Sequence, residues 1–361
     1  MQNNIQNNLI SWYNHNHRQF PWRETTNPYY IWISEIMLQQ TTTEAVIPYY
    51  KRFIQTFDTI DKLASASLEE VYKLWEGLGY YRRAKHIHET AQLICEKYDG
   101  QFPDTYEDIL KLKGIGPYTA GAICSIAYGL SAPAIDGNVL RIISRLYALT
   151  ENIALPKAQK NIFHIVNDLL IGYDASAFNQ GLMDLGATIC RPLNPQCEIC
   201  PIAPFCKARQ SGQQKVLPIS IKNIKHKELN YITGIITYQN QYVMIQNPAG
   251  LLENLYGFIQ YELESPYRFI EEFEKQYHIS LSLVSYHGQV KHVFTHRTWH
   301  MHIYHFTISK PLSSLYSLND ISQLPVSTAH LKVLKHYLKT IKSFKALFKN
   351  NRISNKKWYN V

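Results

Sequence analysis

Four cysteines crowd into seventeen residues of this chain, CRPLNPQCEICPIAPFC, at Cys190, Cys197, Cys200 and Cys206. Six, two and five residues separate successive thiols. If the thiols share one centre, the segment must wrap around it, and that limits how the surrounding chain can fold. The Cys197/Cys200 pair can chelate from a tight turn, and the outer two can close the site. Four thiolates suit either zinc or an iron–sulfur cluster. Zinc fingers commonly carry two close pairs and this segment carries one, but spacing alone leaves both metals open. A disulfide framework is out of keeping with a chain of 361 residues whose start, MQNNIQNNLI, has neither the basic region nor the apolar run of a secretion signal. Cys95 and Cys124 stand alone in apolar helical contexts and are expected to be core residues.

The chain is long enough for two domains. Up to about residue 189 it reads as helical: SLEEVYKLWEGLG and RRAKHIHETAQLICEKY carry apolar residues at three- and four-residue spacing. Thr105, with an acid three residues on, marks a helix start. From about Asn230 the texture changes. YITGIITY, QYVMIQ and TWHMHIYHFTI are short, rich in Tyr, Ile, Val and Thr, and read as strands, with one helix near PYRFIEEFEKQY. The expected organisation is a helical domain over 1–212 that includes the cysteine segment 190–206, a connector over 213–229, an α+β domain over 230–330, and a basic helix and tail over 331–361.

The net charge of +9 suggests an anionic partner, but residues 331–361 hold nine Lys and Arg and no acid, so the remainder balances 28 basic against 28 acidic residues. The excess belongs to the tail. Leu331, Leu334, Leu338 and Ile341 form an apolar stripe there, beside Lys332, Lys335, Lys339 and Lys342. A helix docked by one face with its lysines solvated is expected, and a nucleic-acid contact is the alternative. No run of about 18 uncharged apolar residues is present, so no membrane span is expected and the cytoplasm is the expected location.

Three short stretches carry chemistry. In LKGIGPYTAG, Gly114 and Gly116 permit backbone angles and close approaches denied to other residues, and Pro117 suits the first position of a helix. The free N–H groups of such a turn can accept a DNA phosphate without reading sequence. In IWISEIMLQQTT, three of the four helical neighbours of Glu35 are apolar, so its carboxyl should be desolvated and its pKa raised. In APAIDGNVLRIISRL, Asp136 sits at a helix N-cap, where it should accept N–H bonds and stay ionised. Divergent surroundings of this kind separate a proton donor from a charge stabiliser.

Read together and in order, FPWR, ISEIMLQQT, WEGLGYYRRA, LKGIGPYTAGAI, AIDGNVLRI, FNQGLMDLGATIC and the cysteine spacing resemble the endonuclease III superfamily of DNA glycosylases, and within it the adenine DNA glycosylase (MutY) family. The likeness spans nearly the whole chain. It implies an all-α helix-hairpin-helix glycosylase domain with a structural [4Fe–4S] cluster on the four cysteines, followed by an α+β Nudix-like domain. It implies a monomer acting in base excision repair on double-stranded DNA, where adenine opposite 8-oxoguanine or guanine is swung out of the stack before chemistry. Glu35 then corresponds to the acid that protonates adenine N7, and Asp136 to the carboxylate that stabilises the sugar cation. Asn138 supports that region, Arg18 and Arg23 lie near the adenine pocket, and Gln40, with Thr41 beside it, and Tyr80 fall in segments that wedge the duplex.

Bifunctional relatives place a lysine where this chain has Tyr118, and a phenol is a poor substitute for an amine that must form a Schiff base. A monofunctional enzyme is therefore expected, with Tyr118 packing or hydrogen bonding at the sugar. The second domain lacks the Gly-x5-Glu-x7-Arg-Glu pattern of Nudix hydrolases, with Tyr256 where the glutamate would fall, so recognition is expected of it. The family's Phe-Ser-His loop reads Phe294-Thr295-His296 here. The histidines at 292, 296, 300, 302 and 305 are expected to reflect strand packing and not a metal site. Two rivals stand beside this reading: an endonuclease III-like glycosylase/lyase on oxidised pyrimidines, disfavoured by Tyr118, and a non-catalytic DNA-binding scaffold, disfavoured by the presence of both Glu35 and Asp136.

Overall fold

The computed structural model describes residues 4–221, 226–248 and 250–350, with side chains up to Lys342. The chain divides into two compact units, Met1–Asn223 and Ile224–Val361.

The first unit is helical. Among its described residues it comprises α1 (Ile5–Asn16), α2 (Pro28–Leu38), α3 (Thr43–Thr56), α4 (Ile60–Ser65), α5 (Leu68–Trp75), α6 (Arg82–Tyr98), α7 (Tyr106–Lys111), α8 (Pro117–Tyr128), α9 (Gly137–Tyr147), α10 (Pro156–Leu170), α11 (Ala175–Thr188) and α12 (Lys207–Gln210). Local chemistry sets several of their starts. Ser67 and Glu70 form a reciprocal capping box on α5, Thr105 caps α7 through the Asp108 N–H, and Asp136 caps α9 through the Val139 N–H. Every side chain from Ile31 to Met37 on α2 is buried, which is the mark of a helix that runs through a core. Of the two lone cysteines, Cys124 is fully buried as expected, whereas Cys95 is half-buried with its thiol 3.5 Å from an Asp61 carboxylate oxygen.

Two glycines let backbone come close where Asp136 is positioned. A Cβ on Gly121 in α8 would strike the Pro133 carbonyl, so the helix lies directly on the loop leading to Asp136. A Cβ on Gly186 in α11 would come within 2.5 Å of the Asn138 Cβ. The buried Asn179 of α11 fixes the same segment, donating to the Ala132 carbonyl at 2.9 Å and accepting from the Ala134 N–H at 3.3 Å.

The expected connector is shorter than 213–229. Leu217 is buried, and Asn152 bonds both the N–H and the carbonyl of Ile221, so the chain stays attached to the helical unit that far. The first strand begins at Lys227, three residues before the textural change at Asn230, because its early residues are exposed and polar and carry no strand signal.

In the second unit the strands are β1 (Lys227–Tyr238), β2 (Gln241–Val243), β3 (Ile245–Gln246), β4 (Tyr256–Gly257), β5 (Ile259–Tyr261), β6 (Leu281–Val293), β7 (Arg297–Ile308) and β8 (Leu315–Tyr316). The main sheet runs β6-β7-β1-β2-β8, with β5 also paired to β1; β1 and β7 are parallel and β6 is antiparallel to β7. Helix α13 (Pro266–Tyr277) covers one face through Phe269 and Phe273. Helices α14 (Leu318–Gln323) and α15 (Thr328–Asn350) cover the other. The expected tail helix thus begins at Thr328 and belongs to the core of this unit: Leu334 is buried, and Leu331, Leu338 and Ile341 pack beside it, while Lys332, Lys335, Lys339 and Lys342 are exposed. Residues beyond 350 lie outside the described residues.

Gly121→Ala is expected to lower the stability of the helical unit by about 1–3 kcal/mol through overpacking against Pro133. The urea midpoint reads this; an unchanged midpoint would contradict the close approach.

Candidate active site

A cavity of about 830 Å³ opens among α2, α8, α9 and α11. Glu35 reaches it from the last turn of α2, and Asp136 from the cap of α9. Tyr118, Asn138, Arg18 and Arg23 line it as well, as do Gln40, Thr41 and Gly116 at its edge. The residues that sequence marked in separate motifs therefore meet. Tyr80 and Gly114 are not among its lining, and Phe294, Thr295 and His296 belong to the second unit.

Glu35 is 5% exposed. Burial pushes its pKa up to about 7; the Tyr118 hydrogen bond and the Arg23 charge pull it down, and the Asp136 charge adds to the rise. Tyr118 donates its hydroxyl to the Glu35 carboxylate at 2.6 Å, so the phenol serves the acid, where sequence assigned it to the sugar. Burial and the neighbouring Glu35 raise the Tyr118 pKa well above its ordinary value, so it stays a donor.

Asp136 accepts the Val139 N–H at 2.8 Å and the Asn138 side-chain amide at 2.6 Å. Sequence expected these bonds to keep it firmly ionised. Burial outweighs them, and its pKa lies above the usual carboxylate value. Asn138 is held in turn: its carbonyl oxygen accepts from Arg141 at 2.8 Å, and Arg141 also donates to the carbonyls of Gly186 at 2.9 Å and Cys190 at 2.8 Å. Three linked side chains thus join the cap of α9 to the start of the cysteine segment.

Arg18 and Arg23 are both bound to one buried carboxylate, Asp184 on α11. Arg18 reaches it at 2.7 Å and Arg23 at 2.6 Å. Burial alone would raise the Asp184 pKa, but the bonds and charges of Arg23 and then Arg18 hold it below the usual value. Asp184, Asn179 and Arg141 were not singled out from sequence. The available signal was a polar residue on an otherwise buried helical face, as in FNQGLMDLG, and it does not say which partner the residue meets.

The two-glycine turn joins α7 to α8. Gly114 has φ +79 and packs on His86 of α6, so it needs glycine. Gly116 differs from expectation. Its φ is −100, within reach of any residue, and no atom lies within 4 Å of a Cβ built there. It leaves open space at the N-terminus of α8.

All four clustered cysteines border a single small cavity beside Arg145. Arg145 is 2% exposed and among the described residues bonds only carbonyls and sulfur, with Nη1 3.3 Å from the Cys190 sulfur. A buried guanidinium calls for an opposite charge, and ligated thiolates would supply it. Among the described residues no three His, Cys, Asp or Glu side chains converge on a point fit for a single metal ion. The four thiols around one cavity fit the donor set of a metal centre.

In the second unit, Phe294, Thr295 and His296 form the tip of the β6–β7 hairpin. Phe294 is rooted on Trp299 with ring centres 4.8 Å apart, while Thr295 and His296 are exposed. The strand histidines have separate neighbours, His300 with Glu228 at 2.6 Å and His305 with Thr237 at 2.9 Å.

Residues 33–167 match the HhH-GPD superfamily of base excision DNA repair proteins, and residues 232–336 match the NUDIX domain. The adenine DNA glycosylase of Buchnera aphidicola subsp. Baizongia pistaciae is 36% identical over 318 residues, which cover 86% of this chain and 88% of that protein. The chain belongs to the adenine DNA glycosylase family. The Homo sapiens member is 40% identical over 218 residues, 58% of this chain and 40% of its own length. The solved structure of a thermostable thymine-DNA glycosylase is 31% identical with a TM-score of 0.53, covering 57% of this chain and 95% of that one. The chain is thus a DNA N-glycosylase with a helix-hairpin-helix unit followed by a Nudix-like unit.

Within that family site, Tyr118→Phe removes the one hydroxyl that favours ionised Glu35. The Glu35 titration is expected to move to higher pH, measured by NMR with labelled glutamate side chains. A downward move would contradict the hydrogen bond.

Proposed function

We propose that this chain hydrolyses the N-glycosidic bond of adenine mispaired with 8-oxoguanine or guanine in double-stranded DNA. The observation that carries the reading is the meeting of a carboxyl of pKa about 7 and a capped carboxyl in one cavity. Adenine swung into the cavity takes a proton at N7 from neutral Glu35, with Tyr118 holding that carboxyl in place. The C1′–N9 bond breaks, and its electron pair leaves with adenine. Asp136 faces the oxocarbenium ion left on the sugar. That cation supplies the opposite charge that Asp136 lacks in the free protein and favours its ionised form. Water then adds to C1′ and gives up a proton to the ionised Glu35, which restores the acid. Arg18 and Arg23, fixed by Asp184, form the pocket wall, and Asn138 holds Asp136.

Gln40, Thr41 and Tyr80 would enter the duplex beside the lesion, and the open turn at Gly114 and Gly116 would take a phosphate. The Phe294-Thr295-His296 tip would meet the oxidised guanine. Cys190, Cys197, Cys200 and Cys206 would hold a [4Fe–4S] cluster, whose chemistry here is to fix the fold of that segment. The action is monofunctional: among the described residues that line the cavity there is no lysine, and the Tyr118 hydroxyl is taken by Glu35. We expect the enzyme to act on DNA in the cytoplasm as a monomer. No described helix is long and apolar enough to cross a membrane.

Duplexes carrying adenine opposite 8-oxoguanine, guanine or thymine test the reading. Free adenine is expected from the first two only, and borohydride is expected to trap no covalent adduct. Release opposite thymine, or a trapped adduct, would overturn it.

Glu35→Gln is expected to abolish release while raising stability at alkaline pH. The folded pKa of Glu35 lies above its ordinary 4.5, so its contribution is fully present below that value and is lost as pH rises through about 7. At pH 8 the wild type is short of the variant by roughly 3 kcal/mol, and at pH 4 the difference vanishes. Urea midpoints at the two pH values measure this.

The purified protein is expected to show a visible absorption band that fades in Cys200→Ser together with the thermal stability of the helical unit. A colourless protein of equal stability would contradict the cluster.

A further inference from the structure

One buried cation takes no part in the chemistry above. Arg83 on α6 is 9% exposed, and among the described residues no carboxylate pairs with it. Its two Nη groups donate to backbone carbonyls on two separate turns, Nη2 also lies 3.5 Å from the Thr41 hydroxyl, and the buried Nε has no partner among the described residues. Nη1 bonds the carbonyls of Ile36 at 2.7 Å, Met37 at 3.0 Å and Gln39 at 2.6 Å. Nη2 bonds those of Leu78 at 3.4 Å and Gly79 at 3.2 Å. The guanidinium lies 5.3 Å from the Trp75 ring centre and 5.5 Å from that of Tyr80.

The first group of carbonyls ends α2, where a helix leaves its last C=O groups unpaired and its dipole favours a cation. The second belongs to the turn between α5 and α6. Each turn carries a non-glycine residue in the left-handed region, Gln40 at φ +59 and Tyr80 at φ +49. Such a conformation costs about 1–2 kcal/mol per residue and persists only where its surroundings impose it. Both strained residues are exposed. Side chains displayed on strained, anchored turns are what a tool for parting stacked bases requires, and two of them work together only if their separation is fixed.

We infer that Arg83 is a positioning residue that joins the Gln40 and Tyr80 turns into one rigid element for opening the duplex. The inference rests on the reading of those two side chains as the wedge. Arg83 bridges both turns because its planar fork offers donors in two directions; a lysine could satisfy one turn but not both. The same bridge caps the helix that carries Glu35, so the acid and the wedge share one anchor.

The test separates base extrusion from bond breaking. In Glu35→Gln protein, a duplex with 2-aminopurine opposite 8-oxoguanine should brighten on binding as the analogue leaves the stack. Adding Arg83→Lys is expected to remove most of that rise, with duplex affinity and far-UV helicity largely kept. Tyr80→Ala in the same background is expected to do likewise. With Glu35 intact, Arg83→Lys should slow single-turnover adenine release about tenfold or more. If Tyr80→Ala loses the rise and Arg83→Lys keeps it, the wedge stands and the bridge is refuted. If both variants keep it, the wedge reading fails and takes the inference with it. Arg83→Gln repeats the measurement without the charge, and a full rise in either folded Arg83 variant refutes the bridge.

Discussion

A carboxylic acid sits inside an apolar helix, and water is replaced around it by one phenol. Glu35 is surrounded along α2 by buried Ile31, Trp32, Ile36 and Met37, and its nearest polar partner is the Tyr118 hydroxyl. That substitution of protein for solvent brings its proton affinity to neutrality. The rest of the helical unit can be understood as what is needed to bring a second, differently treated carboxyl up to it.

Three acids on this unit, Glu35 and Asp184 buried and Asp136 partly so, meet three different fates. Among the described residues Glu35 has neither an ion pair nor backbone donors, so burial decides its state. Asp136 has N–H donors and the distant help of Arg141, which temper burial without cancelling it. Asp184 has two arginines, which reverse it. One functional group, the carboxyl, thereby yields a proton donor, a group waiting for a cation, and a permanent anchor. Helix α11 organises the last two, through Asn179 below the segment leading to Asp136, Gly186 against Asn138, and Asp184 beneath Arg18 and Arg23. Arg141 carries the same support on to the Cys190 carbonyl, so the fold of the cysteine segment and the placing of Asp136 are mechanically connected.

Sequence revealed what depends on local pattern. Apolar neighbours at helical spacing marked Glu35 as buried, the Asp-Gly start marked the cap of α9, and the crowding of four cysteines marked a common centre. It was silent wherever a polar side chain acts across the fold. Nothing in DLGATIC says that Asp184 meets two arginines more than 160 positions earlier. Nothing in GYYRRA tells which of two arginines turns inward, yet Arg83 is buried and Arg82 is exposed. Gly116 was credited with a special backbone angle because glycine permits one, but its neighbour Gly114 has it. In the second unit, β6 escaped notice because its apolar residues do not sort to one face, with Leu283, Val284, Tyr286 and Val293 exposed, and the early residues of β1 because they are mostly exposed and polar. The docking of α15 was visible in its leucine stripe, but not its start at Thr328, which precedes the lysines by one turn.

The most direct test of the central claim is the pH dependence of single-turnover adenine release from a saturating mispaired duplex. A proton held by buried Glu35 gives a rate that is high in mild acid and falls above about pH 7. A rate that instead climbs through neutrality, as a base would require, would contradict the account.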